Sequence, residues 1–238
     1  MGEDLVALAR KCFSHTVAVF WGSPEDPNGF NSASGVLLAL DRPLLVTALH
    51  VLEGYRQRLA QDPALRFCIG KGSLILKQHR VRGVAKDLDL VTIDLSGVRV
   101  DALAPHLSLY QPPRWPPRRV EPNESVLITG FPKAYRRPLP EGHAIKFNSC
   151  HISAPVHSVT ERHFSCVFDM ADRQRVYAEN EGEWPGDYGA FSGCPAFTYR
   201  DDSVEFSGVV YEGSSGFHVL YIYHPDLIAS DGTLNWGA

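Results

Sequence analysis

The sequence predicts an all-β fold built in two halves, and three features predict it. Short β-branched or apolar runs, bounded by Gly, Pro, Asp and Asn, recur along almost the whole chain. Residues 105–123 hold six prolines and divide these runs near mid-chain; backbone that rich in proline is barred from a central strand. The composition is that of an ordinary globular protein, 44% hydrophobic and 21% charged over 238 residues. Disorder, collagen and coiled coil are thereby excluded. A chain of this length buries roughly 70–75% of its unfolded surface, enough for one large core or two small ones.

Taken in order, residues 3–12 read as a short amphipathic helix with Leu5, Leu8 and Ala9 on one side. Strand-like runs follow at Thr16 to Trp21, Gly35 to Leu40, Leu44 to Ala48, Ser73 to Leu76 and Leu90 to Leu95. The style repeats at Ser125 to Thr129, Ala144 to Ile152, Phe164 to Phe168, Ala196 to Tyr199, Phe206 to Tyr211 and Val219 to Tyr223. Many short strands with turns between them mean a sandwich or a barrel. A short helical turn is expected around His224 to Ser230. The proline-rich stretch reads as a stiff connector between the halves, the other reading being a ligand motif for a partner domain.

Charge and hydropathy narrow the function. The net charge of −4 argues against a nucleic-acid binder driven by global charge. No run of 18 apolar residues exists to span a membrane. The opening MGEDLVALARKCF begins acidic and is broken by Arg10 and Lys11, unlike a signal peptide. Val6 stands where a myristoylation motif starting at Gly2 needs Ser or Thr. Cys12, Cys68, Cys150, Cys166 and Cys194 are odd in number and none are closely paired, so free thiols and a cytoplasmic location are expected.

Three segments carry chemistry. In LLVTALHVLEGY, residues 44–55, an apolar strand runs into His50 and then into a turn-like or helical stretch. In KDLDLVTIDL, residues 86–95, Asp89 opens an apolar strand. In GAFSGCPAF, residues 189–197, Ser192 is flanked by small residues just before a strand. Each alone has an ordinary structural reading: a hydrogen-bonded histidine, a turn aspartate, a loop serine. Together they form a set, with the imidazole and carboxylate in the first half and the hydroxyl in the second. A serine is a weak nucleophile until a base lies within hydrogen-bond reach. Imidazole titrates near neutrality and suits that role.

TALHVL, DLVTIDL and FSGCP resemble the histidine, aspartate and nucleophile motifs of the trypsin- and chymotrypsin-like serine proteases. GFP at residues 130–132 resembles the strand end of that family's second barrel, and GVVYEG at 208–213 its pocket-lining strand. The likeness runs from about residue 14 to 225, and the chain resembles intracellular bacterial trypsin-like peptidases without disulfides. It implies two packed antiparallel β-barrels with short N- and C-terminal helices. Residues 1–104 would be the barrel carrying His50 and Asp89, 105–123 the connector, and 124–238 the barrel carrying Ser192. The implied activity is that of a serine endopeptidase acting through an acyl-enzyme, with no metal or cofactor. His50 would be the base, Asp89 its orienting partner and Ser192 the nucleophile. The backbone N–H groups of Ala190 and Ser192 would form the oxyanion hole. Gly186, Asp187, Tyr211, Glu212, Gly213 and His218 would line the substrate pocket. The implied partners are a protein or peptide substrate and a regulatory protein, with neither nucleic acid nor membrane.

Departures from the family pattern shape further expectations. Ala190 stands where the family has Gly and Phe191 where digestive members have an ion-pairing Asp. The loop from Asp187 to Ser192 is therefore expected to be incompletely organised until substrate or a partner binds, with a rate gain on Ala190→Gly. Tyr211 stands where the family often has a Ser that bonds the aspartate. A catalytically weak or inactive protease-fold binding module is the alternative, and a hydrolase using Cys194 a distant third. His143, Cys150, His151, His157, His163 and Cys166 are zinc-ligand types close in sequence. Their spacing fits no tight knuckle, so they read as strand and loop residues.

Overall fold

The structure is a computed structural model and describes residues 2–23, 29–139, 145–167, 191–200, 202–214 and 218–235. Seven strands make the first sheet: β1 (Thr16–Trp21), β2 (Asn31–Ala39), β3 (Pro43–Ala48), β4 (Phe67–Ile69), β5 (Gly72–Leu74), β6 (Val81–Ala85) and β7 (Leu90–Asp94). Their order is β5-β4-β1-β2-β3-β7-β6, an antiparallel half-barrel whose hydrogen-bond ladder does not close. The second half holds β8 (Ser125–Gly130), β11 (Cys150–Val159), β12 (His163–Val167), β13 (Pro195–Arg200), β14 (Ser203–Ser214) and β15 (Val219–Tyr223). These close into a barrel in the order β11-β12-β15-β14-β13-β8. A separate hairpin pairs β9 (Arg136–Pro138) with β10 (Ile145–Phe147). The helices are α1 (Gly2–Phe13), α2 (Leu49–Leu59) and the single turn α3 (Val100–Leu103). No helix among the described residues is long and apolar enough to cross a membrane.

Period-two patterning explains why β2 is buried without a break from Ser32 to Leu38. Side chains alternate between the faces of a strand. On one face Leu37, with Leu45 of β3 and Ile93 of β7, fills the core of the first sheet. On the other, Val36 and Leu38, with Leu44 and Val46, pack against Leu127, Phe197, Phe206 and Val209 of the barrel. Both faces are covered, so the strands read as continuous apolar runs. A third cluster, including Ile128, Phe164, Phe191, Leu220 and Ile222, fills the barrel interior.

The connector is stitched into this seam. Tyr110 accepts from Ala39 N–H at 2.7 Å and donates its own N–H to Leu37 O at 2.8 Å. Its hydroxyl donates to Val204 O at 3.2 Å and accepts from Phe206 N–H at 3.1 Å. One residue thus ties both sheets together, by its backbone to β2 and by its hydroxyl to β14. Trp115 stacks on Phe206 and donates its indole N–H to Ile228 O at 2.8 Å.

The two ends of the chain cross over. The first residues form α1, whose Ala9 and Cys12 are buried in the seam, against β8 and β14 of the second half. The last described segment returns to the first sheet. Asp41 N–H donates to Ser230 O at 3.1 Å, Thr92 Oγ1 donates to Gly232 O, and Leu234 packs beside Gly83 of β6. The expected helical turn after His224 is a single 3₁₀ turn, Pro225–Leu227.

Arg200, at the end of β13, gathers the far side of the barrel. Its Nε donates to Glu124 at 2.9 Å and its Nη1 to Glu205 at 2.8 Å, with only 10% of the side chain exposed. Arg200→Ala leaves the partly buried Glu205 without its cation and Glu124 with Arg118 alone, and is expected to cost about 2–3 kcal/mol, read by urea denaturation. Burial pushes the Glu124 carboxyl up, but hydrogen bonds and charge from Arg200 outweigh it and hold it below its ordinary value. Its stabilisation is therefore present at neutral pH and is lost as pH falls through that lowered value. In Arg200→Ala the stabilisation lost on acidification is smaller, because the bond and charge that lower this carboxyl are gone.

Candidate active site

Strand register brings His50 and Asp89 together. β3 and β7 pair antiparallel with Ala48 opposite Leu90, which sets Leu49 opposite Asp89 and His50 one residue further on. At that point β3 turns into α2, whose first N–H groups have no partner inside the helix. The N-cap position, Ala48, offers no side-chain acceptor. Asp89 supplies both acceptors from across the sheet. Its carbonyl takes Leu49 N–H at 2.9 Å and its Oδ1 takes His50 N–H at 2.7 Å. The negative charge also suits a helix N-terminus.

Oδ2 of the same carboxylate lies 2.6 Å from His50 Nδ1. A carboxylate accepts, so Nδ1 carries the proton and Nε2 is left as the basic nitrogen. Asp89 holds this post in a left-handed conformation, φ 48° and ψ 41°, after the 3₁₀ turn Lys86–Leu88. Such backbone costs a non-glycine residue about 1–2 kcal/mol. The three bonds to Leu49 and His50 over-determine it. His50 is exposed and Asp89 half-buried, so the ring edge opens to solvent.

Ser192 sits in a tight turn in which Cys194 N–H donates to Phe191 O at 2.9 Å. Phe191 buries its ring in the barrel core, at 1% exposure, which anchors the turn from below. Gly193 N–H donates to Val210 O at 2.8 Å, and Ser34 N–H donates to Ser192 O at 3.4 Å. Gly193 has φ +83°, and a Cβ there would stand 2.1 Å from Ser34 O and 3.1 Å from Ala48 N. The serine turn is thus wedged against the first sheet, two residues upstream of His50. Ser192 Oγ donates a long bond to Tyr211 O at 3.4 Å. Among the described residues it makes no hydrogen bond to His50. Rotation about one χ angle separates that state from others, and catalytic hydrogen bonds often tighten only with substrate bound.

The pocket residues fall into two groups. Gly186, Asp187 and Ala190 lie outside the described residues, and so does most of the loop expected to be incompletely organised. Glu212 and Gly213 are exposed on β14 just past Tyr211, and Glu212 makes no ion pair or hydrogen bond among the described residues. His218 is half-buried, with φ 51°. Tyr211 does not take the role of a serine bonding Asp89. Its ring stacks on Tyr223 at 3.8 Å, with His163 at right angles at 5.9 Å and Tyr221 tilted against it at 6.1 Å. Burial, then the charge of Glu212, pushes the Tyr211 hydroxyl up to about 12. Tyr223 is raised further, mainly by burial and in part by Asp89, so both phenols stay neutral. Sequence reasoning missed Tyr221 and Tyr223; the signal was YIY at 221–223, in a strand pairing with the pocket strand.

All five cysteines are free, and Cys194 is fully buried, its thiol pushed up to about 12 by burial. The Cys194 reading gains no support from such a group. Among the described residues no three His, Cys, Asp or Glu side chains converge as a metal site. His151 is instead buried against Thr129 Oγ1 at 2.8 Å and Ser149 Oγ at 3.2 Å, with burial pulling it down to about 4. His143 lies outside the described residues.

No protein-family model matches the sequence, and no curated protein matches it. Solved structures do match the fold. The Rv3671c protease from M. tuberculosis, in its active form, superposes with a TM-score of 0.50 at 14% identity, over 92% of this chain and 78% of that one. Kallikrein-related peptidase 10, solved in complex with Zn2+, superposes with a TM-score of 0.50 at 16% identity, over 91% of this chain and 92% of that one. The chain has the fold of the trypsin- and chymotrypsin-like serine proteases.

Proposed function

We propose that the protein is a serine endopeptidase working through an acyl-enzyme. The observation that carries the reading is the double grip of Asp89 on His50, by backbone N–H and by Nδ1. It fixes the tautomer and aims Nε2 as a base. In the reaction Nε2 takes the Ser192 proton as Oγ attacks the substrate carbonyl. Asp89 stabilises the imidazolium that forms. The tetrahedral oxyanion is held by the N–H groups of Ser192 and Ala190. Collapse expels the amine with the proton from Nε2, and water repeats the sequence on the acyl-enzyme.

The acyl side of the substrate lies along β14, where Tyr211, Glu212 and Gly213 run beside Ser192. The exposed carboxylate of Glu212 favours a basic side chain there. Asp187, Gly186 and His218 complete the pocket in this reading. A regulatory partner acts by organising the loop that ends at Ser192, and the protein works in the cytoplasm.

A fluorophosphonate probe tests the mechanism. Covalent labelling at Ser192, lost in His50→Ala, is the expected result. An unlabelled, folded protein favours a protease-fold binding module, a reading supported by the Ser192 Oγ bond to Tyr211 O.

A further inference from the structure

We propose that Arg136, with Phe30 and Phe147, forms a carboxylate-binding site that reads an acidic residue of the substrate on the leaving side of the cleaved bond. The inference rests on the endopeptidase reading and names the substrate class.

The site is an incompletely satisfied cation. Arg136 opens β9 opposite Phe147 of β10, and its guanidinium carbon lies 5.4 Å from the centre of the Phe30 ring. Phe20, Phe30 and Phe147 form a wall, with ring centres 4.9 to 6.2 Å apart. The residue is half-buried, and its Nε is sealed from solvent with no hydrogen-bond partner. No carboxylate among the described residues pairs with it. An aromatic face satisfies the plane of a guanidinium but not its in-plane N–H donors. Burial alone pulls its pKa down to about 10, as expected of a cation short of a counter-charge. The outer edge of that fork matches a carboxylate, two parallel N–H bonds to two oxygens.

Its neighbours agree in sign. Arg137 and Lys146 face each other across the same hairpin, and Lys133 precedes it.

The position follows from the strands. Ser192 lies between Tyr211 of β14 and Ser34 of β2. If the acyl side runs along β14, the leaving side runs toward β2. Phe30 precedes Ser34 by four residues, roughly 13 Å of extended strand. An extended peptide covers that span with its third to fifth residues beyond the cleaved bond. Glu212 on one side and Arg136 on the other would read opposite charges, so a substrate is threaded in one direction only.

The test uses rhodamine-labelled peptide pools, randomised except for Glu or Gln at the third to fifth positions after a central basic residue. Binding to the full-length Ser192→Ala protein is followed by anisotropy. The Glu pool is expected to bind about ten-fold or more tightly than the Gln pool, with the difference abolished in Arg136→Gln on the same background. Equal binding of the two pools, or a Glu preference that survives Arg136→Gln, overturns the proposal. A merely structural Arg136 would weaken both pools alike, which also overturns it. Should Arg136→Gln fail to fold, Arg136→Lys keeps the charge without the fork and is expected to narrow the preference; an unchanged preference overturns the site. Because Ser192→Ala needs no turnover, a Glu preference alongside failed fluorophosphonate labelling sinks the endopeptidase reading and leaves the carboxylate site standing.

Discussion

Ser192→Ala is expected to reduce peptide hydrolysis by a factor on the order of 10⁴–10⁶ while leaving thermal unfolding almost unchanged. The two halves of that expectation have separate grounds. The hydroxyl is the proposed attacking group, so its loss removes the covalent route. Structurally it makes one long bond, 3.4 Å to Tyr211 O, and its deletion leaves no buried donor behind. His50→Ala is expected to be nearly as damaging, and the double variant little worse than either single one. Groups that act as a unit do not add. Initial rates on a peptide pool, with calorimetric scans of each variant, check both halves. Turnover near the parent rate in Ser192→Ala would remove Ser192 from the mechanism.

Gly193→Ala is expected to damage both stability and the site. The residue combines a left-handed φ of +83° with a Cβ position that overlaps Ser34 O at 2.1 Å. The backbone term costs about 1–2 kcal/mol and overpacking typically another 1–3. A loss of roughly 2–5 kcal/mol is the expected sum in urea denaturation. Relief requires the serine turn to lift away from β2 and Ala48, which carries Ser192 away from His50. Fluorophosphonate labelling should therefore fall even in the fraction that remains folded. Labelling at the parent rate would show that the turn tolerates displacement.

The parts legible in the sequence were those written in contiguous residues. TALHVL ends a strand and enters a turn, and that is how β3 runs into α2. DLVTIDL starts a strand at the residue that follows Asp89. FSGCP is a turn before β13. What depends on register was not legible. That Asp89 caps α2 as well as bonding the imidazole follows from Ala48 standing opposite Leu90, and no local pattern encodes it. Phe67–Ile69, Val81–Ala85 and Arg136–Pro138 are strands only because neighbours pair with them; alone they are too short or too irregular to declare themselves. Tyr211 was legible as a departure, but its stacking on Tyr223 arises from the pairing of β14 with β15. Phe191 read as a lost ion pair, whereas its ring fills the barrel core.

The crossing of the two ends sets a timetable for synthesis. A growing chain carries His50 and Asp89 long before Ser192 is made, yet the first sheet still lacks the Ser230 to Leu234 segment that covers β3 and β6. Meanwhile α1 waits for β8 and β14. At about 5–20 residues per second, that interval lasts on the order of ten seconds on the ribosome. The apolar face of β2 and β3 stays open until the barrel residues that cover it, Leu127, Phe197, Phe206 and Val209, are made. Neither half can therefore mature first and wait. The seam gains its full set of contacts only after the Ser230 to Leu234 segment is made, well after His50, Asp89 and Ser192.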